Sequence, residues 1–183
     1  MGGSTPNCFP TCTRGLPQRS LLPPRQLMTL NQGVSHSPES VVTEEQKGEW
    51  TLIALEAETG PRIYRIRSEP PAGVKKEVFS ESVIIEWKFG EGLPDQATSI
   101  AMFAFERHME PIDNHTKHSL LVHVYTGSGI KEWCYYTKSY DEFMQGLNVA
   151  LAGKPRFPIE ILHDHDPTWT YWSGIKDYAH GKG

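Results

Sequence analysis

Residues 131–172 read KEWCYYTKSYDEFMQGLNVALAGKPRFPIEILHDHDPTWTYW, and the fold turns on how this stretch divides. Trp133, Cys134, Tyr135 and Tyr136 form an aromatic run suited to a packed strand. A helix follows. Ser139 is a good N-cap, and Glu142 three residues on completes a capping-box pattern. Asp141 and Glu142 place negative charge at the positive end of the helix dipole. Tyr140, Phe143, Met144, Leu147 and Leu151 recur on one stripe of a 3.6-residue period. Gly153 can take the left-handed turn after the last helical residue, and Pro155 blocks continuation. Residues 159–163 then predict a short strand, with Ile159, Ile161 and His163 on one face and Glu160, Leu162 and Asp164 on the other.

The elements upstream read as partners for this unit. Val83, Ile85, Trp87 and Phe89 alternate with Ile84, Glu86 and Lys88, a strand with one strongly apolar face. A helix is predicted from Asp95 to Met109, with Pro94 in its first turn and Pro111 ending it. Its stripe is Ala101, Met102, Phe105 and Met109. Ile100 and Phe103 widen the stripe, which implies cover on more than one side. Ser119 to Tyr125 is a strand, with Leu120, Val122 and Val124 expected on one face and Leu121, His123 and Tyr125 on the other. Gly127-Ser128-Gly129 makes the following turn.

Residues 83–163 therefore predict strand–helix–strand–strand–helix–strand. This is the ferredoxin-like, split βαβ order of an α+β domain, with two helices on one face of an antiparallel sheet. A hairpin from Glu49 to Arg67 precedes it, placed to lengthen the sheet or cover its other face. After the turn at Asp166-Pro167, Trp169, Tyr171 and Trp172 supply apolar area to close an edge or a face. Residues 47–183 form one expected domain. Residues 1–46, punctuated by six prolines, are expected to be a disordered tail, in which Met28 offers an alternative start.

Charge narrows the partners. Of 18 basic and 22 acidic residues, Arg14, Arg19 and Arg25 lie in the first 37 positions, which contain no acid. The remainder holds 18 − 3 = 15 basic and 22 acidic residues, a net of −7. Such a domain is ill suited to a phosphate backbone, so nucleic acid is not expected. A basic protein partner fits better. No run approaches the roughly 18 apolar residues of a membrane helix. Cys134 reads as a buried apolar residue, and Cys8 and Cys12 lack a second ligand pair, a usage that fits a reducing cytoplasm.

One polar cluster invites chemistry. On an extended strand His163 and His165 point the same way, so a metal could take both imidazoles, with His123 or Glu86 from a neighbouring strand as third ligand or general base. Equally, His163-Asp164-His165-Asp166 sits at a strand end where turns favour Asp, and Asp166 could simply cap the turn. Trp133, Tyr135, Asp164, Asp166 and Trp169 are the candidate partner-binding side chains, and the aromatics serve equally as core. His108, His115 and His118 surround a loop that reads as solvated. No phosphate loop, nucleophile elbow or Cys-x-x-Cys pair is present, and no cofactor is implied.

A family resemblance rests on Trp50 and the Arg-rich strand after it, Gly92-Leu93-Pro94, Phe105-Glu106, Tyr135-Tyr136, Phe143 and the closing Asp166-Pro167-x-Trp169. Over residues 49–178 the chain resembles the bacterial proteins grouped as domain of unknown function 695. These are similar in fold to the regulator of ribonuclease E activity B, a small acidic ferredoxin-like inhibitor. The resemblance implies the fold and carries over no catalytic residues. Together, these readings predict a non-enzymatic acidic protein-binding or regulatory module, inhibitor-like or immunity-like. The alternative is a small metal-assisted hydrolase using residues 163–166. Pairing of sheet edges or faces into a homodimer is open to either.

Overall fold

A computed structural model describes residues 40–47 by their backbone, and residues 49–114 and 117–181 in full. The expected tail up to residue 39, with Cys8 and Cys12, and His115 lie outside the described residues.

The central unit matches the order read from the sequence. Strand β4 (Glu81–Lys88) leads to helix α1 (Gln96–Met109), strands β5 (Ser119–Gly127) and β6 (Ile130–Thr137), helix α2 (Tyr140–Leu151) and strand β7 (Ile159–His165). The strands lie side by side as β5-β6-β4-β7, every pair antiparallel. The leading hairpin, β2 (Trp50–Glu56) and β3 (Arg62–Arg67), joins the sheet beyond β5 and so lengthens it. A further strand, β1 (Ser40–Lys47), pairs with β2 where a disordered tail was expected to run on to residue 46. The β-branched run Val41-Val42-Thr43 favours strand, and β2 offers it an open edge.

Each face of the sheet carries its own core. Helices α1 and α2 cover one face, burying Met102, Phe105, Phe143 and Leu147 against Val83, Ile85, Trp133 and Tyr135. The opposite face is closed by an unexpected third helix, α3 (Thr170–Ala179). It buries Trp172, Tyr178 and Ala179 together with Trp169 on Ile53, Tyr64, Leu120, Cys134 and Tyr136. The aromatic tail thus does close a face, but as a helix. A bulge between Leu121 and His123 breaks the simple alternation expected of β5. Leu120, Val122 and Tyr125 therefore share the α3-side core, while Leu121 and Val124 join the other.

The helix ends follow their sequence signals, with two differences. Asp95 caps α1 by accepting the Thr98 N–H at 2.7 Å, and Pro94 precedes the cap rather than entering the first turn. Ser139 Oγ caps α2 at the Glu142 N–H, but the reciprocal half of the box is replaced: Glu142 binds His118 at 3.0 Å, and the Ser139 N–H donates to Thr137 Oγ1. Gly153 takes φ +71° as expected. Gly129 takes φ +78° at the β5–β6 turn, where a Cβ would stand 2.0 Å from the Gly90 carbonyl oxygen.

Candidate functional site

Strand register builds the polar cluster. Glu81 lies directly opposite His165, and Val83 opposite His163, in the β4–β7 pair. Because side chains alternate, Glu81, His163 and His165 all project from the face that α2 covers. Glu81 Oε2 meets His163 Nε2 at 2.7 Å, and Glu81 Oε1 meets His165 Nδ1 at 2.6 Å. One carboxylate therefore holds both imidazoles. Tyr140, the first residue of α2, stacks on the His163 ring with centroids 4.1 Å apart and planes 11° from parallel. Burial pushes the Glu81 carboxyl upward, but the hydrogen bonds from His165 and His163, with their charge, outweigh it and hold the group below the usual carboxylate value.

The third member of the trio is thus Glu81, not the residues expected from neighbouring strands. His123 is fully buried on the α3 side, with its ring 5.6 Å from Tyr171 and, among the described residues, no hydrogen-bond partner for either nitrogen. Glu86 is buried too, in a lateral row with Glu132 and Glu160 on the adjacent strands. Neither reaches His163 or His165 across the sheet. Among the described residues no group of three or more His, Cys, Asp and Glu is arranged to hold a metal ion. As it stands, the trio is a hydrogen-bonded clamp joining β4, β7 and the start of α2.

The candidate binding side chains separate by burial. Trp133, Tyr135 and Trp169 are 1%, 2% and 0% exposed, so they are core and offer a partner no surface. The Trp133 indole N–H donates to Glu106 Oε1 at 2.9 Å, and that of Trp169 to the Phe79 carbonyl at 2.8 Å. Asp164 remains exposed. Asp166 is the hub of the Asp-Pro-x-Trp segment. It accepts the Tyr136 hydroxyl at 2.6 Å and the N–H groups of Thr170 and Tyr171 at 2.8 and 3.0 Å. Trp169 enters α3 in the left-handed region at φ 59° and caps nothing itself, so Asp166 does the capping from three residues upstream. His118 is exposed as expected, paired with Glu142.

The surface that sequence reasoning missed lies on α1. Ile100 and Phe103, expected to be covered, stand 63% and 62% exposed, and Leu93 just before the helix is 44% exposed. Positions three apart on a helix are neighbours, so Ile100 and Phe103 form one apolar ridge. The charge around it is mostly negative. Residues 95–110 and 139–151 hold Asp95, Glu106, Glu110, Asp141 and Glu142 against Arg107 alone, five acids and one base for a net of −4. Of these, Asp95, Glu110, Asp141 and Glu142 are exposed.

Among the described residues no helix is long and apolar enough to cross a membrane. No curated protein and no solved structure matches the chain. A family of unknown function does: the DUF695 family matches residues 48–174, from just before β2 into α3, and this chain belongs to it.

Proposed function

We propose that this protein is a non-enzymatic regulatory module that binds another protein through the outer face of α1 and the adjoining surface of α2. The observation that carries the reading is the Ile100–Phe103 ridge, two large apolar side chains left in water one helical turn apart. A single exposed hydrophobe is ordinary, but a ridge rimmed by polar residues is the form a docking surface takes. The acids around it select a partner with a basic rim, and the ridge selects an apolar groove to receive a helix face. The β5-β6-β4-β7 order with two helical crossovers supports a ferredoxin-like core for the module.

The test is capture on the immobilised chain from lysate of the source organism, at low and moderate salt, beside Ile100→Glu and Phe103→Glu. Both substitutions are on exposed positions, so the melting temperature should not change. A basic protein retained by the parent chain, released by salt and lost from both variants supports the reading. Equal capture by Phe103→Glu refutes it.

A second reading, a metal-assisted hydrolase, draws on the convergence of Glu81, His163 and His165. A metal would have to displace both carboxylate–imidazole hydrogen bonds to bind. Stoichiometric zinc on untagged protein, lost in His163→Ala and His165→Ala, would favour it. An unchanged melting curve in chelator would dispose of it.

A further inference from the structure

A small group of lysines stands apart from the acidic surface of α1 and α2. Between β3 and β4, residues 72–79 form turns that pack Val74 and Phe79 on the α3-side core. Against the end of β6 they leave a notch of about 320 Å³, lined by Ala72, Gly73, Val74, Lys75, Val78, Phe79 and Lys138. Its floor is apolar, and its charged groups are two ammoniums with no carboxylate among the lining residues.

Those cations form no close ion pair among the described residues. Among the described residues neither Lys75 nor Lys138 has an ion-pair partner. Lys138 instead sits 5.1 Å from the Phe79 ring centroid. Lys76 next door lies 5.6 and 5.0 Å from the Trp169 and Trp172 rings. Aromatic faces hold an ammonium in place without cancelling its charge. In a chain with four more acids than bases, three neighbouring lysines are a local exception, with Glu77 the one acid in the 72–79 turn and, among the described residues, unpaired with any of them.

We propose that this notch binds a small organic monocarboxylate with an apolar body, its carboxylate between Lys75 and Lys138 and its body on Ala72, Val74 and Val78. The volume is at the low end for ligand sites, which run from about 300 to 1,000 Å³, so it admits a ligand the size of one aromatic side chain. A ligand of about ten heavy atoms in an open, partly solvated notch binds with a dissociation constant of roughly 1–10 mM. The affinity falls with added salt, because both cations are exposed.

Titrating the ¹⁵N-labelled full chain with phenylacetate at low salt, and separately with the uncharged phenylacetamide, tests this. Saturable shifts confined to residues 72–79 and 137–139 are expected for the acid. At least a fivefold weaker response is expected for the amide. Lys75→Met with Lys138→Met should lose the response to the acid while the rest of the spectrum stays superimposable, since both side chains are exposed. No saturable shift below about 30 mM, equal responses to acid and amide, or an unchanged titration in the double variant would overturn the proposal. It is independent of the α1 surface, and Phe103→Glu should leave this titration unaltered.

Discussion

Replacing Asp166 with alanine should be strongly destabilising for a half-buried carboxylate. The carboxylate does two jobs at once. It caps α3 through the Thr170 and Tyr171 N–H groups, and it accepts the hydroxyl of Tyr136, a residue with no exposed surface. Loss of a cap costs about 1 kcal/mol. A buried hydroxyl left without its acceptor costs about 1–3 kcal/mol more. The sum is about 2–4 kcal/mol, or roughly 8–15 °C in melting temperature for a domain of this size. Urea unfolding followed by tryptophan fluorescence should show it directly, because Trp169 stacks on Tyr136 with ring centroids 4.3 Å apart. The same carboxyl sets a pH dependence. Burial raises its pKa, but the hydrogen bonds from Tyr136, Tyr171, Thr170 and Thr168 together hold it below 3.8. A group depressed in the folded state contributes in full above its unfolded value and loses that contribution as pH falls through the folded one, so the benefit disappears below about pH 4. In a double-mutant cycle, Tyr136→Phe should recover part of the Asp166→Ala loss, with a coupling of about 1 kcal/mol or more. A loss under about 0.5 kcal/mol, or strict additivity, would refute the double role.

Three further outcomes follow from packing. The buried His123 imidazole is kept neutral, its pKa lowered to about 3 by desolvation, so stability should fall as pH drops from 6.5 toward 3; His123→Leu should flatten that slope in acid-unfolding curves, and an unchanged slope would contradict the burial. Gly129→Ala must push a methyl into the Gly90 carbonyl at φ +78°, and should destabilise by about 2 kcal/mol or more in thermal melts. Glu81→Gln keeps the size of the group that joins His163 and His165 but removes the carboxylate, whose pKa is held low in the folded state, so the stability advantage of the parent chain should shrink as pH falls below 4.5 in acid-unfolding curves; a pH-independent difference would mean the carboxylate is not held by the imidazoles.

What the sequence disclosed and what it hid differ by the range of the interaction involved. The α2 stripe, the Ser139 cap and Gly153 are local patterns, and each is found where the spacing put it. Helix α3 was hidden although Trp172, Ile175 and Ala179 recur at helical spacing. Gly174 and Ser173 lower its propensity, and its cap comes from Asp166 across a left-handed Trp169. Glu81 could not be found from the His163-Asp164-His165 motif, because it lies 82 and 84 residues earlier in the chain and only strand register brings it there. The same non-locality misled the reading of Ile100 and Phe103. An apolar stripe shows which face of a helix is apolar, but not whether the chain itself covers the whole of it.

That last point carries the functional account. The most direct test is the footprint of a captured partner by hydrogen exchange on the complex. Added protection over residues 95–110 and 139–151, with none along β7, is the result the account predicts. Protection centred on Glu81, His163 and His165, or no partner retained at any salt concentration, would contradict it.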